Sequence, residues 1–210
     1  GQMPLAVTLL LAAGALAASF GRLASVDVGF EPDRLVTVGV YLPESAYPDP
    51  AARRVVMEAL RHDAEQLPAV ERAVVASNGD PLTGSGFFIQ PSQESADGRS
   101  APSPELLPYA EVEPGHLEVI GARFVAGRDF RAEDAGTAVA IIDSDLARAL
   151  WPDGGAVGRE FRIRAESPWW TVVGVVEDLR LIGPDDRDRP YSLLRPAPTD
   201  GLRAPWASVV

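Results

Sequence analysis

The first 21 residues of this chain carry no charge, whereas the remainder is crowded with it. Residues 5–20 read LAVTLLLAAGALAASF, apolar apart from Thr8, Gly14 and Ser19. With Met3 and Pro4 the run reaches the lower end of the about 17–25 apolar residues that cross a bilayer as a helix. It is apolar on every face rather than striped, which suits a membrane or a fully buried helix. Three readings compete: a transmembrane helix, a signal peptide and a buried core helix. A signal peptide needs a basic leading region, absent here, and a small-residue cleavage site, matched only in part by Ala17-Ala18-Ser19. A soluble domain of this size has little room to surround such a run. Residues 1–24 are therefore read as a transmembrane helix. The Gly1-Gln2-Met3 start lacks a basic anchor, so the chain is expected to be part of a longer protein.

Beyond residue 26 lie all 30 acidic residues and 18 of the 19 arginines, in a chain of net charge −11. There is no lysine and no cysteine, and only two histidines, His62 and His116. A P-loop needs its lysine on the nucleotide phosphates, and Schiff-base chemistry needs a lysine amine. Without cysteine there is no disulfide, thiol nucleophile or thiolate metal site. Two histidines leave little room for zinc. The acidic balance disfavours nucleic acid as a partner, because phosphate binding needs clustered positive charge. It also disfavours adhesion to anionic lipid surfaces.

The body reads as α+β. Residues 35–41 alternate Val36, Val38 and Val40 against Thr37 and Gly39, the pattern of a strand with one buried face. Asp49 followed by Pro50 starts a helix: a capping carboxylate, then a residue whose missing N–H costs nothing at the first helical position. The helix is expected to end at Leu67, before Pro68, with Val56, Leu60, Ala64 and Leu67 as its apolar stripe and Arg53, Arg54, Glu58, Arg61, His62 and Glu65 on the other side. Residues 70–77 form a second strand, giving a βαβ-type unit. Further strands are expected at 87–89, 109–112, 123–126, 137–143, 160–164, 169–176, 191–194 and 207–210. Short helices are expected over 114–120, ended by Gly121, and from Asp143 or Ser144 to Trp151. Residues 90–104 and 184–190 read as loops.

Candidate chemical sites are thin. His62 stands one turn after Glu58, a solvated pair by spacing. His116 lies near Glu113 and Glu118, without a fixed ligand spacing. Ser77 lacks the Gly-x-Ser-x-Gly elbow, and Gly84-Ser85-Gly86 is too short to cradle a phosphate. Glu177, Asp178 and Asp185 are carboxylates that acid–base chemistry could use; as a plain reading they cap turns or line an acidic loop. Of the adjacent Trp169 and Trp170, one belongs to the core and the other to a rim, because neighbouring strand positions face opposite sides. No catalytic, cofactor-binding or metal-binding residue is assigned.

An ordered set of short motifs runs along nearly the whole chain. It begins with the apolar helix ending in Ser19-Phe20, then Asp27-Val28-Gly29-Phe30 and the strand from Leu35. Tyr47-Pro48-Asp49-Pro50 and Leu67-Pro68-Ala69-Val70-Glu71 follow, then Pro114-Gly115-His116, Ile120-Gly121 and Gly127-Arg128-Asp129-Phe130. Val139 to Asp143, Leu150-Trp151-Pro152, Gly158 and the run from Val172 to Arg180 complete it. In this order the chain resembles the extracytoplasmic core domain of MacB/FtsX-like ABC-transporter permeases, in the subgroup with duplicated permease halves. It departs where His116 replaces the family's usual Tyr or Phe and Asp143 its usual Asn.

The resemblance implies a transmembrane helix (1–24), a porter-like βαβ subdomain (25–83 with 203–210, unfinished at the C-terminus) and an inserted mixed β-rich subdomain (84–202). It implies an inner-membrane protein whose body lies in the periplasm, with no chemistry of its own. Motion from an ATP-binding subunit would reach protein partners or an exported substrate through it, and a homodimer is compatible with the family. Two other classes stay open at this point: an anchored or secreted hydrolase using Glu177, Asp178 and Asp185, and a plain ligand-binding module. The acidic surface is expected to meet a basic partner.

Overall fold

The computed structural model describes residues 3–24, 29, 31–78, 87–89, 94–101, 107–177, 179, 191–198 and 206–210. Helix α1 covers Met3–Ala24. Residues 11–21 are exposed on every face, with Leu11, Leu16 and Phe20 all 70% or more accessible. This stretch is therefore no core helix: nothing in the body covers it. Among the described residues, no helix is long and apolar enough to cross a membrane, so the transmembrane helix expected over residues 1–24 is not shown by the structure.

The body is built on one mixed sheet. Its strands are β1 (Val38–Tyr41), β2 (Val75–Asn78), β3 (Phe87–Ile89), β4 (Glu94–Ser95), β5 (Leu107–Val112) and β6 (Phe124–Gly127). They continue with β7 (Val139–Asp143), β8 (Glu160–Arg162), β9 (Trp170–Val176), β10 (Leu193–Pro196) and β11 (Trp206–Val209). The spatial order is β1-β11-β2-β5-β10-β7-β9-β8-β4, with β3 beside β5 and β6 beside β9. Among the described residues, three α-helices accompany the sheet: α2 (Pro50–Glu65), α3 (His116–Val119) and α4 (Ser144–Leu150).

The expected βαβ-type unit is split. Strand β11 pairs antiparallel with β1 on one side and β2 on the other. β1 and β2 are therefore parallel but not neighbours, and the last strand in sequence lies between them. Helix α2 covers this part, with Met57 buried against Leu42, Val75, Ala207 and Val209. Asp49 caps the helix, accepting from the Ala51 N–H at 2.9 Å. The apolar stripe is rotated from its expected position. Met57 and Arg53 are buried, Val56 and Ala64 half-buried, while Leu60 and Leu67 are exposed. Arg53 is tolerated inside because its guanidinium donates to the Tyr47 carbonyl at 2.7 Å. The expected buried face of the first strand is also corrected. Val36 and Val38 are 77% and 57% accessible, and only Val40 packs against the Met57 cluster. β1 ends the sheet order, so its side chains have neighbours on one flank only.

The central strands have both faces covered, as their nearly unbroken apolar sequences require. On β7, Ala140 and Ile142 join one cluster, with Leu146, Trp151, Phe161 and Val172. Ile141, between them, joins the opposite cluster, with Leu117, Ile120, Phe130 and Val176. Successive residues of the strand thus face opposite sides of the sheet. Asp143 is fully buried and caps α4, its Oδ1 accepting from the Leu146 N–H at 2.8 Å and its Oδ2 from the Ser192 N–H. The expected strand at 191–194 begins later, at Leu193, and that at 70–77 later still, at Val75. Within the expected 90–104 loop, Glu94–Ser95 forms a strand on β8. Much of that loop, and all of 184–190, lies outside the described residues.

The Gly127-Arg128-Asp129-Phe130 motif has a packing explanation. Gly127 faces Gly174 across the β6–β9 pair. A Cβ on Gly127 would stand 2.3 Å from the Val173 carbonyl oxygen, and its φ of +79° already disfavours a side chain. A Cβ on Gly174 would meet the Arg128 carbonyl at 2.5 Å. Arg128 then forks onto Asp134 at 2.6 and 3.0 Å, and Asp134 also accepts from the Arg131 N–H at 2.7 Å. These donors hold the Asp134 carboxyl below its ordinary pKa, the Arg128 hydrogen bonds contributing most. Phe130 inserts into the core. Gly127→Ala is expected to destabilise the fold by about 3 kcal/mol, combining left-handed strain with a backbone clash. Urea unfolding followed by circular dichroism measures it, and an unchanged midpoint would contradict this account.

Candidate functional site

The residues the sequence singled out do not converge. His62 is exposed on α2, and Glu58 bonds Arg54 and Arg61 instead of pairing with it. His116 is buried, but its expected companions are engaged separately: Glu113 by Arg54, and Glu118 by Arg72. Glu177 forms an ion pair with Arg123 in which both side chains are about half exposed. The side chains of Asp178 and Asp185 lie outside the described residues, as do those of Ser77 and Ser85. Trp170 is the buried member of its pair and Trp169 the rim residue, stacked under the Arg162 guanidinium at 4.8 Å.

What the sheet does bring together is a polar junction on the flank of α2. β5 and β10 are parallel neighbours, with Val112 opposite Pro196. Their chains leave the sheet side by side and meet the helix. There Arg54 donates to Glu113 Oε1 at 2.7 Å, to the Pro198 carbonyl at 3.3 Å and to Glu58 at 3.4 Å. The second Glu113 oxygen accepts from the Val75 N–H at 3.3 Å. One Arg–Glu pair thus ties α2, the start of β2, the end of β5 and the exit from β10. It borders a cleft of about 410 Å³, lined by Glu58, Arg61, Glu65 and Arg72 among others. Along α2, Arg61 bridges Glu58 and Glu65, each at 2.9 Å.

This junction is an electrostatic clamp. Each acid in it has an arginine partner, and the cleft is open to water. The exposed α2 pairs add little to stability. Glu113 differs because its side chain is only 13% exposed. Burial raises its pKa, and the Arg54 charge only partly opposes that. No sequence rule could have found the pair, since 59 positions separate its members.

The fold and these contacts can now be set beside known proteins. The model of the MacB-like periplasmic core domain matches residues 5–203, nearly the whole chain. The chain therefore belongs to the family of MacB-like periplasmic core domains, extracytoplasmic domains of ABC-transporter permeases, which pair with ATP-binding subunits. Two solved structures share its fold. One is the periplasmic region of MacB from Actinobacillus actinomycetemcomitans, 13% identical over 86% of this chain and 75% of the other, with a TM-score of 0.51. Another is the extracellular domain of the noncanonic ABC-type transporter YknZ from Gram-positive bacteria, 14% identical over 83% of each chain, with a TM-score of 0.50. No curated protein matches the sequence.

The Glu113 shift has a definite sign. A carboxyl whose folded pKa is raised binds its proton more tightly in the native state. Its contribution to stability is present below the ordinary glutamate pKa and lost as pH rises through the raised folded value. Glu113→Gln is expected to remove this loss, flattening the stability curve above the ordinary glutamate range. Thermal unfolding of both proteins from pH 4 to 8 checks it; parallel curves would show that Glu113 does not titrate in this way.

Proposed function

We propose that this chain is a non-enzymatic, membrane-anchored module of a bacterial inner-membrane permease, which carries helix motion to a partner or exported substrate. The observation that carries this reading is the placement of β11 between β1 and β2. Residues near the end of the chain thereby pack beside the strand that follows α1. Movement of a membrane segment attached on either side would be delivered to the same small unit. We take that unit as residues 25–83 with 203–210, and residues 84–202 as the part that is moved. The β2–β5 pairing and the Arg54 clamp both cross the boundary so drawn. A continuous hydrogen-bonded sheet is a stiff connection, suited to transmitting force.

The fully exposed apolar face of residues 11–21 supports an anchor. Uncovered apolar area of this extent is costly in water and favourable in lipid. The hydrolase alternative finds no support at Glu177, which is bound to Arg123. Alkaline phosphatase fused after Val210 is expected to be active in a bacterial host, and the fusion to stay in the membrane fraction after an alkaline wash. Deleting residues 1–24 should release it. An inactive fusion retained in the cytoplasm would sink the proposal.

A further inference from the structure

Apart from the α2 junction, a smaller cleft opens where β5 and β10 end and β7 and β9 begin. It measures about 240 Å³ and is lined by Glu111, Thr137, Pro168, Trp170, Arg195 and Pro198, with smaller residues between them. Two observations in its wall stand together. The Trp170 indole Nε1 and the Arg195 Nε are both buried, and neither has a hydrogen-bond partner. Buried N–H donors are nearly always paired, so two orphans on side chains that belong to the wall of one cleft need an explanation. Leaving each unpaired forfeits the hydration it had in the unfolded chain.

The rest of the wall sharpens the requirement. Arg195 lies over the Trp170 ring at 4.3 Å and within 5.9 Å of the Tyr109 ring, which fixes its guanidinium in place. The cross-strand Glu111 places an oxygen 3.7 Å from Nη2, looser than a direct hydrogen bond. The arginine charge is only partly answered. Proline supplies no N–H donor, and the Thr137 hydroxyl hydrogen is spent on the Asp134 carbonyl at 2.6 Å. Among the side chains of the wall, the buried unpaired donors are those of Trp170 and Arg195, and one of the two is cationic.

We propose that this cleft binds a carboxylate, one oxygen accepting from the Trp170 indole N–H and the other from Arg195. A carboxylate brings two acceptor oxygens and one negative charge, which makes both hydrogen bonds charge-assisted. A dianion such as phosphate fits less well, because Glu111 and the net charge of −11 oppose a second negative charge. The cleft is smaller than the roughly 300 Å³ lower end of drug-sized sites, so it takes a small acid or the end of a chain. This site does not depend on the permease reading and holds or fails separately.

Nuclear magnetic resonance of the whole 210-residue chain in detergent micelles tests it through the four tryptophan indole N–H signals. The Trp170 signal is assigned by its disappearance in Trp170→Phe. The probes are N-acetylglycine, acetyl-triglycine with a free C-terminus, the amidated form of each, and inorganic phosphate. The free acids should move the Trp170 signal saturably, the amides and phosphate at least tenfold more weakly. Trp151 has a buried, unpaired indole nitrogen outside this cleft, so its signal should stay still. Arg195→Met should weaken acid binding at least tenfold, while an unmoved Trp151 signal certifies the fold. Binding of the peptide acid alone would identify the ligand as a chain terminus; binding of both acids, as a free small acid. No saturable shift with either acid, equal binding of the amides or phosphate, or undiminished binding by Arg195→Met would each overturn the proposal.

Discussion

The two-sided pairing of β11 is the constraint on which the N-terminal half of the body rests. β1 finds its sheet partner there, and α2 finds the floor on which Met57 is buried. Val74 and Val210 exchange hydrogen bonds at 3.0 and 3.2 Å, extending the β2 edge of that pairing. A strand so late in sequence closes a very long loop. Such closure costs entropy that grows only slowly with loop length, so a stable inserted part can be accommodated between β2 and β11. The same closure makes α2, β1 and β2 depend on contacts formed late, an arrangement of high contact order.

The second organising feature is the use of arginine as the only strong base. Lysine is a point charge on a flexible stem, whereas guanidinium is planar and forked. That geometry recurs in the clamps of this protein. Arg128 grips both oxygens of Asp134, Arg54 spreads its donors over Glu113, Glu58 and a carbonyl, and Arg195 stands over an indole ring. Each could be copied only poorly by lysine. A body with many more acids than bases still holds together, because its buried acids are the ones bound by arginines or backbone amides.

Legibility in the sequence followed the range of the interactions. Caps were plain, because Asp49 and Asp143 act on amides two or three residues away. β7 and β9 were plain because a short, nearly unbroken apolar run is local and both faces of these strands are buried. Val36 and Val38 misled because alternation cannot say whether anything covers the face it defines. The α2 stripe misled because a buried arginine breaks the usual polarity rule. Arg53 is satisfied by the Tyr47 carbonyl, a partner that exists only once the preceding turn is folded. The Arg54 clamp and the β5–β10 cleft join residues 59 to 144 positions apart or on different strands, and hydropathy carries no trace of that. The ordered motifs did better, since Gly127 and Phe130 record tertiary packing in a local string.

These features bear on how the proposed transmission of motion would pass through the domain. Here the carboxylates at the clamp are paired, and the close contacts, such as Gly127 on Gly174, leave no slack between β6 and β9. That arrangement resists internal deformation. If the domain transmits motion as proposed, such a sheet would carry it from beside β1 and β11. The half-exposed Arg54 gives the junction to α2 a connection that water can compete for, whereas the backbone pairing of β2 with β5 is fixed more firmly.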